Sequence, residues 1–187
     1  MAIVKVLIEG FTNAGSASKG EQEKTCPTIS LVRDKNINII VDPGVLDSQE
    51  ILTKSLLREG LKINDINFVF ITHSHIDHYR NTGMFPNAKI IEYFGIWDRG
   101  FPQDLPKKIT KDIKIIKTPG HDYTSITLLV KIEKGIVAIC GDVFWKEGEP
   151  KKDAYAQDLK ELEKSRKKVL ELSDWIIPGH GPIFKAK

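Results

Sequence analysis

Short apolar segments recur along the whole chain, and most either alternate with polar residues or run without interruption for five to eight positions. Both patterns predict β-strands, the first half-buried and the second buried on both faces. Turn residues such as Asp, Asn, Pro and Gly separate the segments. The predicted strands cover residues 2–9, 29–32, 37–41, 66–72, 88–94, 113–120, 125–132, 135–142 and 174–182.

Two longer stretches show the helical spacing of apolar residues, at positions three and four apart. Residues 47–60 and 153–172 are therefore predicted helices, with Asp47 and Asp153 as their expected N-caps. Residues 11–27 and 95–112 carry many small residues, glycines and prolines, and both are predicted to be irregular. Each half of the chain thus holds several strands and one long helix, which favours an α+β fold of two sheets packed face to face with helices outside.

Composition narrows the class of protein. At 187 residues, 41% hydrophobic and 28% charged, the chain suits one globular domain covering residues 1–187. A net charge of +3 is too small to indicate nucleic-acid binding by itself. No window is long and apolar enough for a membrane span. Cys26 and Cys140 form no metal-binding or disulfide pattern, so we expect reduced thiols and a cytoplasmic location.

All five histidines follow predicted strands, next to Gly, Pro, Asp or Thr, and none lies in an apolar stripe. Three of them fall in the segment THSHIDH, residues 72–78. A lone histidine in such a place is usually a solvated loop residue. Here His73 and His75 are two positions apart, and in an extended segment both side chains point the same way and can hold one ion. If a helix starts after Ile76, Asp77 and His78 turn toward a second ion.

The remaining candidates follow other strands. His121 could complete the first ion, His180 the second, and Asp142 could bridge the two. Nitrogen and oxygen donors without thiolate suit Zn²⁺ first, with Fe or Mn as alternatives. Two divalent metal ions roughly 3.5–4 Å apart can share a water and lower its pKa toward about 7, which provides hydroxide at neutral pH.

These residues resemble the metallo-β-lactamase fold superfamily. The resemblance runs in family order through five elements: Asp42 in VDPG, HSHIDH at 73–78, His121 in TPGH, Asp142 in GD and His180 in PGHG. It implies an αββα sandwich with the metals at one edge. It also implies that one ion is held by His73, His75 and His121 and the other by Asp77, His78 and His180, with Asp142 bridging. Asp42 would lie behind the ligands and orient one of them.

A closer resemblance, over nearly the full length, is to a subgroup of this superfamily whose members have been linked to RNA phosphodiester cleavage. It implies a metal-dependent hydrolase that uses a metal-bridging hydroxide, with an endoribonuclease or phosphodiesterase activity as the leading hypothesis. Asp77 could orient the attacking water or move a proton, although ligation is its first expected role. RNA or a small ester or thioester is the expected substrate, no membrane partner is expected, and a homodimer is left open.

Two other activities remain open at this point. One is a thioesterase, lactonase or glyoxalase II-like acyl hydrolase; the other is an oxidoreductase of the persulfide dioxygenase kind with one iron. Several residues near the motifs could touch substrate or pocket walls, with a structural role equally expected. They are Tyr79, Trp97, Phe101, Tyr123, Thr124 and Ser125. Arg166, Lys167 and Lys168 could meet phosphate, but a solvated helix face is the expected place for them.

Overall fold

The computed structural model describes residues 1–18, 20–148 and 150–186. Its three α-helices are α1 (Gln49–Arg58), α2 (Ile76–Tyr79) and α3 (Leu159–Leu172). Short 3-10 turns occupy Ile63–Asp65, Thr82–Met84 and Gly141–Val143. The strands are β1 (Ile3–Ile8), β2 (Phe11–Thr12), β3 (Thr25–Cys26), β4 (Ile29–Asp34), β5 (Ile37–Val41), β6 (Phe68–Phe70), β7 (Lys89–Glu92), β8 (Gly95–Asp98), β9 (Phe101–Gln103), β10 (Ile113–Lys117), β11 (Ile126–Ile132), β12 (Gly135–Ile139), β13 (Trp175–Ile177) and β14 (Phe184–Lys185).

Two mixed sheets form the centre of the molecule. The seven-stranded sheet has the order β1-β4-β5-β6-β7-β8-β9, and β5, β6 and β7 are parallel. The five-stranded sheet has the order β10-β11-β12-β13-β14, and β12 and β13 are parallel. A separate two-stranded hairpin, β2–β3, lies outside both sheets.

The alternation of apolar side chains explains the four layers. In β5, Ile39 and Val41 face the core between the sheets, whereas Ile40 faces α1 on the outer side. In β11, Leu128 points into the same inter-sheet core and Leu129 points toward α3. Helices α1 and α3 thus each cover the outer apolar face of one sheet, which confirms the predicted αββα sandwich.

The sequence prediction differs from the structure mainly at element ends. Helix α3 begins at Leu159 and not at residue 153, because Asp158 is its N-cap and accepts hydrogen bonds from the amides of Lys160 and Glu161. Helix α1 is likewise capped by Ser48 and not by Asp47. The two segments predicted to be irregular contain β2, β3, β8 and β9, strands of two to four residues that are too short for an alternation pattern.

The strand directions bring the predicted site residues to one edge. Strands β10, β12 and β13 run the same way, so their carboxyl ends lie together, and each is followed by a candidate ligand. Strand β6 of the other sheet ends at the same edge, where the Ile126 amide donates a hydrogen bond of 2.8 Å to the Thr72 carbonyl. Within the described ranges, no helix is both long and apolar enough to cross a membrane.

Candidate metal centre

Seven nitrogen and oxygen donors gather at this edge in two groups. The first comprises His73, His75, His121 and Asp142, and the second comprises Asp77, His78 and His180. Within each group, one atom from every residue lies within 4.8 Å of the others. The structure therefore brings together every residue predicted from the sequence as a ligand, in the predicted division. Their binding of metal remains a prediction.

Asp142 lies between the two groups. Its Oδ1 is 3.3 Å from His78 Nε2 and 3.2 Å from His180 Nε2. Its Oδ2 is 3.4 Å from His121 Nε2, in the other group, and 3.3 Å from His180 Nε2. One carboxylate thus faces both groups, which is the position required of a bridging ligand.

The rings are oriented by contacts on their outer nitrogens. His121 donates from Nδ1 to Asp153 Oδ2 at 2.6 Å, and His180 Nδ1 lies 3.0 Å from the Cys26 carbonyl oxygen. His73 Nδ1 lies 3.1 Å from Thr72 Oγ1. A hydrogen bond from Nδ1 fixes the tautomer that leaves the Nε2 lone pair free for a cation. His75 differs from these rings. Its Nδ1 lies 3.1 Å from His121 Nε2, so Nδ1 is the nitrogen that His75 directs toward the first donor group.

Asp42 has the position expected of a residue behind the ligands. Its Oδ2 accepts from His78 Nδ1 at 2.8 Å, and it also accepts from the Thr72 amide at 2.8 Å and from the Thr72 hydroxyl at 2.7 Å. Its φ of 48° lies in the left-handed region, where a non-glycine residue needs compensating contacts. These three hydrogen bonds provide that compensation and fix the end of β5 against the end of β6.

Two glycines allow close approach at the site, Gly179 to the Asp142 carboxylate and Gly141 to the Thr72 side chain. A Cβ on Gly179 would lie 1.8 Å from Asp142 Oδ1. A Cβ on Gly141, whose φ is +51°, would lie 2.3 Å from Thr72 Oγ1. Neither position has room for a side chain, so the GD and PGHG motifs require their glycines for steric reasons.

The donor set fits divalent cations. Among the described residues, the buried atoms His73 Nε2, His78 Nε2 and Asp142 Oδ1 have no hydrogen-bond partner. An unpaired buried polar atom costs about 1–3 kcal/mol. His78 Nε2 and Asp142 Oδ1 lie 3.3 Å apart without a hydrogen bond, and their grouping with His73 Nε2 indicates a place for an electropositive partner. Five imidazoles and two carboxylates without thiolate are the donors that Zn²⁺ and similar ions accept.

The charges of the site shift the pKa values of its members. Burial, followed by the neighbouring His78, lowers the pKa of His73 well below its usual range. Burial would also lower the pKa of His78, but the carboxylates of Asp142 and Asp42 outweigh it and raise the pKa well above the usual range. Asp142 also outweighs burial at His180 and raises its pKa. These two rings gain a preference for the protonated form, and a bound cation would compete with their protons.

A cavity of about 180 Å³ opens onto the two groups. We call it the metal pocket. One wall is the β2–β3 hairpin, with Glu23 and Thr25, and the other is the segment after Asp142, with Trp145 and Tyr155. The Tyr155 hydroxyl donates to Glu23 Oε2 at 2.6 Å, so the two walls are tied to each other. Hydrogen bonds from the Gly15 amide and from Tyr155 lower the pKa of Glu23.

The other residues expected to touch substrate lie in different places. Ser125 is buried, and the Thr124 hydroxyl bonds to Ser74 at 2.8 Å, whereas Tyr79 and Tyr123 are exposed. Trp97 of β8 donates to Glu92 of β7. Of these residues and Phe101, none lines the described metal pocket.

The expected solvated position of Arg166 is wrong. This residue is only 8% exposed, and its guanidinium donates to the carbonyls of Val143, at 3.0 Å, and Pro150, at 3.1 Å. It holds the segment that follows Asp142, because a planar group with five donors can satisfy several carbonyls at once. Lys168 donates to the Lys117 carbonyl on the edge strand β10.

Sequence reasoning missed four residues of the site. Asp153 was assigned to a helix cap, but it is buried and holds His121. Thr25 donates to Asp77 Oδ2 at 3.0 Å, and Trp145 and Tyr155 form a pocket wall. None of these four belongs to a motif. The hydrogen bonds of Asp153, Thr25 and Tyr155 join residues 32, 52 and 132 positions apart, so no local pattern identifies them.

Comparisons with known proteins show which family and fold this chain resembles. The model of the metallo-beta-lactamase superfamily matches residues 27–110. Metallo-beta-lactamase domain-containing protein 1 of Xenopus laevis is 30% identical over 97% of this chain and 81% of that protein. The chain spans between 59% and 62% of the mammalian proteins of that name.

Two further relatives extend the comparison. A protein of Methanocaldococcus jannaschii named as a probable metallo-hydrolase is 36% identical over 80% of this chain and 74% of its own length. A crystal structure from Thermotoga maritima, named as that of a putative metallo-beta-lactamase, superposes with a TM-score of 0.76 at 21% identity and covers 98% of this chain and 99% of that one.

Proposed function

This chain belongs to the metallo-beta-lactamase superfamily and is a metal-dependent hydrolase, and we propose that it cleaves phosphodiester bonds. In this proposal the protein uses two divalent cations, for which Zn²⁺ is the leading candidate. The first cation would be held by His73, His75 and His121, and the second by Asp77, His78 and His180, with Asp142 shared. Zinc, nuclease activity and a cytoplasmic location are part of this proposal.

One observation carries the proposal: two groups of donors meet at a single carboxylate, and buried atoms in both groups lack partners. Two cations bound there would act as Lewis acids, activate a water molecule and neutralise charge on the attacking and leaving oxygens. A phosphodiester benefits most from such a pair, because its transition state spreads negative charge over several oxygens.

The chain's own residues position and shield the reaction. Asp77 presents its carboxylate to the metal pocket, where Thr25 holds one oxygen, and the side chain can orient an attacking water and accept its proton. Trp145 and Tyr155 stack with ring centroids 5.8 Å apart and form one wall of the metal pocket. The Asp153–His121 and Asp42–His78 pairs keep both rings in one orientation throughout turnover.

Hydrolysis of a small acyl ester, thioester or lactone is the second candidate, and the size of the metal pocket favours it. A cavity of about 180 Å³ between two tied walls suits a compact group better than a polymer. A persulfide dioxygenase of this kind would bind one iron, so the second donor group of Asp77, His78 and His180 would hold no metal.

The test is a comparison of substrates with protein loaded with Zn²⁺ or Mn²⁺. We expect turnover of bis(p-nitrophenyl) phosphate and of a short labelled RNA, and its loss in Asp142→Asn. Hydrolysis of lactones or thioesters without phosphodiester cleavage would establish the second candidate instead. One iron per chain with oxygen uptake would overturn both.

A further inference from the structure

The hydroxyl of Thr25 contacts two residues of the second donor group at once. We propose that Thr25 is a positioning residue that sets the affinity of this group for its cation, through the Asp77 carboxylate and the His180 ring. Thr25 lies in the β2–β3 hairpin, and its contacts with these two residues span 52 and 155 positions of the chain. The inference rests on the proposed function in one respect, namely that the second donor group holds a cation.

The two contacts of the hydroxyl have a defined direction. Thr25 Oγ1 donates its one hydrogen to Asp77 Oδ2 at 3.0 Å, and a carboxylate that ligates a metal is ionised and can only accept. The contact of 3.2 Å between Thr25 Oγ1 and His180 Nδ1 therefore has the ring nitrogen as its donor. His180 Nδ1 also lies 3.0 Å from the Cys26 carbonyl oxygen. Two acceptors from adjacent residues of β3 thus keep the proton on Nδ1 and leave the His180 Nε2 lone pair for a cation.

The Asp77 carboxylate depends on Thr25 for its orientation. In the part of the chain that the structure describes, no group other than the Thr25 hydroxyl donates a hydrogen bond to this carboxylate. The same oxygen, Oδ2, lies 3.7 Å from His78 Nε2 and 3.7 Å from His180 Nε2, so it is the atom that Asp77 directs toward the donor group. The hydroxyl occupies one acceptor position of that oxygen, leaves others for a cation, and restricts rotation of the side chain.

Thr25 is itself held in place from two sides. It pairs with Thr12 across the hairpin. Three residues further along the chain, the Thr28 amide donates to the Gly179 carbonyl at 2.6 Å, and the Thr28 hydroxyl donates to the Gly181 carbonyl at 3.0 Å. This stretch of chain therefore runs beside the PGHG loop, and the anchoring fixes where the Thr25 hydroxyl lies relative to the second donor group.

The first donor group provides an internal reference. Among the described residues, Asp142 and the three histidines of that group have no hydrogen bond to the β2–β3 hairpin. Their contacts outside the two donor groups are with Thr72 and Asp153, which lie on other elements. Loss of the Thr25 hydroxyl should therefore weaken cation binding at the second donor group and leave the first donor group as it is.

Zinc binding by the full chain tests this inference without any substrate. Thr25→Val keeps the shape of the side chain and removes the hydroxyl. Titration against a competing fluorescent chelator should show that one of two Zn²⁺ equivalents binds about 10-fold more weakly, the lower end of the range for groups that orient metal ligands. Crystals equilibrated with limiting Zn²⁺ assign the loss, because the anomalous peak at the second donor group should fall relative to the peak at the first.

Three further variants separate positioning from a loss of structure. Thr25→Ser restores the hydroxyl and should return the zinc affinity to that of the native protein. Thr12→Val changes the residue paired with Thr25, whose hydroxyl accepts from the Ala14 amide, and should leave both zinc affinities unchanged. Thr25→Ala replaces the valine variant if metal-free Thr25→Val melts at a lower temperature than the native protein.

The outcomes distinguish this inference from the proposed reaction. Native affinity at both groups in Thr25→Val, an equal loss in Thr12→Val, or no rescue by serine would overturn the inference. A native protein that binds one cation only would overturn it too, together with the two-cation proposal. Two bound cations and the expected loss in Thr25→Val, without phosphodiester turnover, would retain the role of Thr25 and refute the proposed reaction alone.

Discussion

The hydrogen bond between Asp153 and His121 allows a sharp test of how the centre is built. Asp153→Asn preserves shape but replaces a carboxylate with an amide. In the native protein, Asp153 Oδ2 accepts from His121 Nδ1 at 2.6 Å, and both side chains are almost fully buried. The amide can offer its NH₂ group to Nδ1, which would favour the tautomer with its proton on Nε2, the atom that faces the first donor group.

Residues that orient a metal-bound histidine typically contribute 10–100-fold to metal affinity or activity. We therefore expect Asp153→Asn to weaken Zn²⁺ binding at the first donor group by that factor, about 1.4–2.7 kcal/mol. A titration against a competing fluorescent chelator measures it. The second donor group, which has no contact with Asp153 in the part of the chain that the structure describes, should keep its affinity.

The control is Asp158→Asn, which alters a nearby carboxylate that caps α3 and makes no contact with a ligand. Asparagine is also a good N-cap, so both stability and metal affinity should stay close to those of the native protein. If Asp153→Asn bound zinc at both groups as tightly as this control, the assignment of His121 as an oriented ligand would be refuted.

Three further perturbations follow from the same structure. Gly179→Ala should displace Asp142 and abolish full metal loading, measured by elemental analysis, whereas Gly83→Ala, where a Cβ meets nothing within 4 Å, should load normally. Removal of metal with a chelator should abolish hydrolysis and lower the melting temperature, and added Zn²⁺ should restore both; unchanged activity after complete removal would contradict metal dependence. Leu162→Ala should cost about 2–5 kcal/mol in denaturant unfolding, because this residue is fully buried between α3 and its sheet; a loss below 1 kcal/mol would show that α3 is not packed as described.

The sequence predicted the parts of this protein that depend on local pattern. Apolar alternation located the sheets, and donors placed directly after strands predicted a cluster, because the carboxyl ends of β10, β12 and β13 meet at one edge. The positions of His121 and His180 relative to residues 73–78 followed from that rule once the sheets were paired.

Other parts depend on contacts that no local pattern encodes. Asp153 resembles a helix cap in sequence and becomes a histidine partner only because β10 ends beside it. Arg166 has the spacing of an exposed helix residue but is buried by the segment after Asp142. The β2–β3 hairpin, a pocket wall, consists of strands of two residues each, and its pairing depends on turn geometry.

The account is tested most directly by diffraction from crystals grown with Zn²⁺, measured on both sides of the zinc absorption edge. We predict two anomalous peaks per chain, one among His73, His75 and His121 and the other among Asp77, His78 and His180, with Asp142 in contact with both. A single peak, or ions bound away from these side chains, would contradict it.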